Sequence, residues 1–432
     1  MSSCFAWSQQ FAHVIFVIQE NRTPDNLFGS NPVFEPGVDI ATNGVNSKHR
    51  TIPLTAVPLA GCYDLGHSHE NFLKAYAAGA MDGFDKETVT PQTGCIAGAH
   101  PQYRYVDNSS GAVDPYFNLA TQYGFANRMF QTNQGPSFPA HQFLLSGTSA
   151  PGTTSDLFAV NNPPPHFEGC ASRRGFTTTM IDPQGTISNL FPCFDHATLV
   201  DLLERANLNW RYYGASPEAI WIAPNSIKAL CNAQKVKGKV SCTGKEWANV
   251  VLNPATVLSD ISTCNLANVT WVTPTGQNSD HPSINTGGGP SWAASIVNEI
   301  GNSKCGYWQN TAILLTWDDW GGWYDHVPPP RIGQENWGQS YVYGFRVPLI
   351  VISAYTPAGY VSNTVHDFGS LLRFTEKNFG LGLIGPGIWA DSYADNLGEF
   401  FTLSSPRVFT PTPAPYSAEH FINSTETPTD PG

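Results

Sequence analysis

Three short runs rich in β-branched and aliphatic residues, His13 to Ile18, Thr311 to Thr316 and Val347 to Ser353, constrain the fold more than any other feature. Each is largely apolar and stops abruptly at a polar loop, the pattern of a strand buried on both faces of a sheet. Stretches with helical character, His69 to Ala78, Ala197 to Ala206, Ala293 to Ile300 and Phe368 to Phe379, lie between and after them. Strands alternating with helices predict the α/β class, with a doubly wound, mainly parallel sheet carrying helices on both faces.

The alternation breaks from about Pro151 to Thr243, where the run Pro163 to Pro165, four cysteines and several Gly and Asn residues predict a loop-rich, lid-like insertion. Residues 1–403 are read as one domain containing that insertion at about 151–243, and residues 404–432, which include the run TPTPAP, as an extended or disordered tail. The 39 glycines and 34 prolines, with only 13% of residues charged, point to many ordered loops on a rigid scaffold.

An excess of 34 acidic over 22 basic residues, with no run of basic residues, argues against nucleic acid or an anionic membrane surface as the partner. A small phosphorylated substrate needs only local positive charge, which a metal can supply. No stretch approaches the roughly 18 apolar residues of a membrane span, and Met1 to Gln10 lacks the basic and apolar regions of a signal peptide. The nine cysteines show no CxxC and no zinc-type Cys/His spacing. They are read mostly as disulfides of a secreted or periplasmic enzyme, with buried free thiols in a cytosolic protein as the alternative. The odd count leaves at least one unpaired within the chain.

The first apolar run leads into Gln19-Glu20-Asn21-Arg22-Thr23, and the run at 311 leads into Trp317-Asp318-Asp319-Trp320-Gly321-Gly322. Carboxyl ends of neighbouring strands form the ligand crevice of an α/β sheet, so these loops can bring three carboxylates and an amide together. Packed like charges raise one another's pKa unless a cation neutralises them, which makes a divalent metal the simplest account. The alternative is a turn-capping Glu20 and solvated loop acids. In Gln134-Gly135-Pro136-Ser137-Phe138-Pro139, the second proline places Ser137 at or beside a helix N-cap. Such a serine is ordinarily just a cap; with a metal or base beside it, it is a nucleophile at the positive end of a helix dipole. His67, His69, His281, His326 and His366 stand in polar loops, suited to phosphate contact or proton transfer, whereas His141 and His196, nearer predicted helices, are read as structural.

Six segments carry a family resemblance: VIFVIQENRTPDNLFG, DLGHSHENFLKAYAAGAMDGF, NQGPSFPAHQFLLSGTS, the span from SDHPS through NTAILLTWDDWGGWYDHVPPP, FRVPLIVISAY and HDFGSLLRFTEKNFGL. In this order they resemble the bacterial phosphoesterase family that includes non-hemolytic and hemolytic phospholipases C and an acid phosphatase, within the alkaline phosphatase superfamily. The resemblance implies an alkaline-phosphatase-like sheet and a nucleophile at Ser137. It further implies metal-side groups at Glu20, Asn21, Asp318 and Asp319, phosphate contacts from His67 and His281, and an Asn21 that serves both metal and phosphate. Many relatives carry Asp-Glu where this chain has Asp318-Asp319, and some place a histidine nearer the LLR segment than His366 stands here.

Together these features predict metal-assisted hydrolysis of phosphate esters through a phosphoseryl intermediate, of the acid-phosphatase phosphomonoesterase type. Two alternatives stand beside it: a phospholipase C acting on diesters and binding a phospholipid headgroup, and a non-catalytic secreted binding protein on the same fold. The metal is open among Ca, Mg, Mn and Zn, and the oligomeric state is not legible.

Overall fold

The computed structural model describes residues 11–332 and 341–425. Met1 to Gln10, with Cys4, lie outside them. The central sheet has eight strands: β1 (His13–Gln19), β2 (Gly124–Ala126), β3 (Trp210–Tyr213), β4 (Val250–Val251), β5 (Val269–Val272), β6 (Thr311–Trp317), β7 (Leu349–Ser353) and β8 (Tyr360–Ser362). Their spatial order is β4-β3-β5-β1-β6-β7-β2-β8. All run parallel except β7, which is antiparallel to both its neighbours. The three apolar runs are therefore strands, and two of them, β1 and β6, are adjacent and parallel. Direct pairing of Gln19 with Trp317 starts their following loops side by side.

The helices are α1 (Pro24–Phe28), α2 (His69–Tyr76), α3 (Asp114–Gln122), α4 (Ser137–Ser146), α5 (Leu199–Arg205), α6 (Thr256–Ser262), α7 (Gly289–Asn302) and α8 (Phe368–Asn378), with shorter pieces beyond. Side-chain alternation sorts them onto the two faces. Phe16 of β1 and its register partner Trp271 stack at 5.3 Å on one face, where the Trp271 indole N–H donates to the Leu144 carbonyl of α4 at 3.1 Å. Trp317, in register with Gln19, points to the other face and meets Tyr116 of α3 edge-on at 4.9 Å. Helix α4 packs with α5 and α8, while α3 and α6 pack with α7. The sheet is thus covered on both sides, and β1, β6 and β7 are almost wholly buried.

Helix α4 is buried along its whole length, which its apolar sequence permits on every side. Pro139 sits in its first turn, and Gly147 ends it in the left-handed region at φ 68°, donating its N–H to Phe143. Ser137 is the first helical residue, with Pro136 at the cap position.

Within the segment 151–243, α5 and β3 belong to the main α/β layers, β3 pairing with β5. A polar-flanked strand of only four residues carries too weak a pattern to stand out from loop. The parts outside the main sheet are a small antiparallel sheet of Phe158–Ala159, Thr178–Ile181 and Ile187–Leu190 and an exposed hairpin of Asn232–Val236 with Lys239–Thr243. Disulfides pair Cys62 with Cys95, Cys170 with Cys193, Cys231 with Cys242 and Cys264 with Cys305. The described part of the tail is tied down: the Trp308 indole N–H donates to Arg407, Asn298 and Thr412 exchange two hydrogen bonds, and Phe421 packs on Trp292. No helix among the described residues is long and apolar enough to cross a membrane.

Candidate active site and metal centre

The loops that leave β1 and β6 interlock through backbone donors. One Asp318 carboxylate oxygen accepts the N–H of Asn21 at 3.0 Å and that of Asp319 at 2.7 Å. Asn21 is held in the left-handed region at φ 59°. Two glycines make room for this arrangement. A side-chain carbon on Gly321 would lie 2.5 Å from the Asn21 carbonyl oxygen, and one on Gly322 would lie 2.4 Å from the Leu65 side chain. Both glycines have positive φ, so the WDDWGG sequence is dictated by close approach as well as chemistry. Trp320 and Trp323 pack among residues of the 52–84 region and against Tyr63 and Leu65, respectively, and this carries the strand before His67 onto the site.

Ser137 reaches the same place from α4. Its hydroxyl donates to Asp319 Oδ2 at 3.1 Å, while Asp319 Oδ1 accepts from Asn21 Nδ2 at 3.1 Å and from the Gly321 N–H at 2.7 Å. Asn21 Nδ2 also lies 3.2 Å from His67 Nε2, and His67 Nδ1 is 2.6 Å from the Leu65 carbonyl, which puts the proton on Nδ1 and leaves Nε2 as acceptor. The His67 and His281 rings are 6.1 Å apart. Both are only partly buried, whereas Glu20, Asn21, Asp318 and Asp319 are fully buried and Ser137 nearly so, so the site opens on its histidine side.

His141, read from sequence as structural, belongs to this site. Four residues beyond Ser137, it lies one helical turn along the same face of α4. Its Nε2 is 3.3 Å from Glu20 Oε1 and 3.7 Å from Asp318 Oδ2, all three side chains being fully buried. One ligand atom from each of Glu20, His141 and Asp318 falls within 4.8 Å of the others. Among the described residues, Asp318 Oδ2 and Asn21 Oδ1 are buried without a hydrogen-bond partner. Orphaned acceptors at the focus of two carboxylates and an imidazole are costly unless a cation is held there, so the donor set fits a metal ion. Burial drives the His141 imidazole down to about pKa 4, keeping it neutral as a ligand must be. Burial, and then the charge of Asp318, push Asp319 well above the ordinary carboxylate range. Burial works against protonation of His67, but Asp319 and Asp64 outweigh it and raise its pKa. His281 is lowered by burial.

The remaining candidate histidines make other contacts. His69 is buried at the start of α2, with Nδ1 3.0 Å from the Gln134 carbonyl. His326 lies between Asp25 at 2.8 Å and Asp39 at 3.0 Å. Asp25, Asp325 and His326 converge as a second acidic group, but Arg346 bonds both carboxylates and completes a buried ion-pair network there. His366 is paired with Asp395 and Glu399 near the sheet edge. Beside the site, a cavity of about 580 Å³ runs between α2 and the small antiparallel sheet, lined in part by His69, Phe72, Gln134, Ile181, Tyr341 and Val342.

A model of the Phosphoesterase family matches residues 11–382. Phospholipase C A of Mycobacterium tuberculosis is 23% identical over 91% of this chain and 78% of its own length. Non-hemolytic phospholipase C of Pseudomonas aeruginosa is 26% identical over 91% of this chain but only 57% of its own length. Non-specific phospholipase C6 of Arabidopsis thaliana is 22% identical, covering 95% of this chain and 76% of its own. Among solved structures, a protein in the alkaline phosphatase superfamily from Vibrio parahaemolyticus superposes with a TM-score of 0.39 at 9% identity, over 91% of this chain and 71% of that one. With the family match spanning nearly the whole of the α/β domain, the chain belongs to the Phosphoesterase family and is a hydrolase acting on phosphoric ester bonds.

Proposed function

We propose that the hydrolysis runs through a phosphoseryl intermediate on Ser137. The observation that carries this reading is the 3.1 Å hydrogen bond from the Ser137 hydroxyl to Asp319 Oδ2 at the head of a buried helix. Asp319, whose proton affinity is raised by burial and by Asp318, takes the serine proton as Oγ attacks phosphorus. The bond from phosphorus to the ester oxygen breaks, and the alcohol leaves with a proton from the histidine side of the site. Water then attacks the phosphoseryl group and returns the hydroxyl to Ser137. Asn21 Nδ2 holds Asp319 in place, and His67 and His281 line the open side, where His67, its pKa raised by Asp319 and Asp64 against burial, donates to a phosphoryl oxygen once protonated. Glu20, His141 and Asp318, with Asn21 Oδ1 beside them, would hold a divalent ion, which supplies positive charge to stabilise the serine alkoxide and the phosphoryl oxygens. An oxygen-rich set with one imidazole admits Ca, Mg, Mn or Zn.

On the alcohol side, the cavity beside Gln134 and His69 favours esters with a bulky apolar alcohol, as phospholipids have, over the small phosphomonoesters expected from sequence. The phospholipase C names of the relatives support the same choice. Nitrophenyl phosphate and nitrophenyl phosphorylcholine, compared on one preparation with and without added metal, separate the two. For the covalent route, acid-quenched enzyme should yield phosphoserine at Ser137 by peptide mass spectrometry, and Ser137→Ala should lose more than about 10³-fold in kcat. Near-normal turnover by Ser137→Ala would refute it.

A further inference from the structure

Helix α4 begins with few hydrogen-bond donors. Pro136 and Pro139 have none on the backbone, and the Ala140 N–H already turns toward the Pro136 carbonyl at 3.4 Å. That leaves the N–H groups of Ser137 and Phe138. The Phe138 N–H donates to the side-chain oxygen of Asn162 at 2.8 Å, while the Ser137 N–H has no partner among the described residues.

Asn162 arrives from far along the chain, in a segment that touches the catalytic loops at three consecutive residues. The Val160 carbonyl lies so close to Gly135 that a side-chain carbon there would be 2.0 Å away, which is why only glycine fits two residues before the serine. Asn161 accepts the His69 N–H at 2.9 Å, fixing the start of the helix that follows His67. Asn162 then caps the residue after Ser137. The segment is itself anchored, Val160 N–H donating to Thr179 and the Thr178 hydroxyl to the Asn161 carbonyl.

We infer that Asn162 is a positioning residue for phosphoryl transfer: by occupying the Phe138 N–H it leaves the Ser137 N–H as the helix-start donor for a phosphoryl oxygen. It also fixes the first turn of α4 relative to Asp319. This rests on the reading of Ser137 as nucleophile. The chemistry of the side chain matters. An aspartate would cap the helix at least as well, but its charge would stand beside an anionic substrate; the neutral amide caps without repelling it.

The test compares Asn162→Asp and Asn162→Ala with the parent and with Ser137→Ala, measuring thermal midpoint, kcat, KM and the inhibition constant of inorganic phosphate. Asn162→Asp should keep the parent's thermal midpoint yet bind phosphate at least about 10-fold more weakly, with the loss shrinking as salt is added. Asn162→Ala should lose about 10- to 100-fold in kcat through misplacement of the serine. If Asn162→Asp matches the parent in phosphate inhibition and Asn162→Ala changes only the thermal midpoint, the side chain is a structural cap and the inference fails. Should the aspartate variant not fold, the kcat of Asn162→Ala decides alone. Retained turnover in Ser137→Ala overturns the nucleophile reading itself, whereas an inactive Ser137→Ala beside normal Asn162 variants overturns only the role of Asn162.

Discussion

Replacing Gly321 with alanine separates two costs that the site imposes on one residue. Its φ of 62° is left-handed, and the added carbon would lie 2.5 Å from the Asn21 carbonyl oxygen and 2.6 Å from the Asn21 side-chain carbon. The backbone conformation alone costs an alanine about 1–2 kcal/mol. The collision adds about 1–3 kcal/mol, as overpacking of a tight interior does, so about 2–5 kcal/mol in all. The neighbour that must give way is Asn21, which is already at φ 59° and orients Asp319. A displacement approaching 1 Å there should cost about 10²-fold in kcat. Gly380 is the internal control: its φ is 65°, but nothing among the described residues lies within 4 Å of the added carbon. Gly380→Ala should therefore lose only the conformational 1–2 kcal/mol and no activity. Urea midpoints at unchanged slope give the stability difference, and turnover of a nitrophenyl ester gives the rest. If Gly321→Ala is no worse than Gly380→Ala in both measurements, the close approach to Asn21 does not shape the site.

His141→Gln should leave the protein with less bound metal by elemental analysis after gel filtration and lower activity by at least about 10- to 100-fold; an unchanged metal content would remove His141 from the site. The disulfide Cys264–Cys305 spans 41 residues, and on loop length alone its removal by paired serine substitution costs about 4 kcal/mol. Removing Cys231–Cys242, which spans 11 residues, should cost about 3 kcal/mol on the same measure, so its removal should lower the urea midpoint less than that of Cys264–Cys305, and the reverse order would contradict this. Burial opposes the charge on His366, but its bonds to Asp395 and Glu399 outweigh burial and raise its pKa, while the pKa values of Asp395 and Glu399 are lowered. The His366 contribution is complete below its ordinary value of about 6.5 and is lost as pH rises through the raised folded value; the acids' contribution is lost as pH falls below about 4. His366→Gln should thus lower the thermal midpoint more at pH about 6 than at pH about 9, and equal loss at both would dismiss the ion pairs.

The central strands were legible because burial on both faces writes itself into the sequence as an unbroken apolar run. The same property hides direction: β7 is as apolar as β1 and β6, and nothing in Leu349–Ser353 distinguishes an antiparallel strand from a parallel one. Strands as short as Val250–Val251 or Gly124–Ala126 are set by tertiary pairing, with no periodicity to read. For the same reason β3 was not separable from the loop-rich segment around it.

At the site, the sequence offered the two acidic loops as strand-end loops that could meet, and the parallel pairing of β1 with β6 is what delivers their carboxyl ends together. Ser137 could be read locally only as a cap, because an N-terminal serine in a helix has the same sequence environment whether it serves the backbone or a phosphate. In the structure its hydroxyl turns to Asp319, while Asn162, from a segment no local pattern connects to it, takes up the helix donor beside it. His141 is the instructive omission. Its spacing of four residues from Ser137 puts both side chains on one face of α4 as soon as that segment is accepted as a helix. A serine nucleophile predicted there already implied that the residue one turn on would face the same carboxylates. A histidine at that position is therefore better read with its helix partner than from the apolar company of its neighbours.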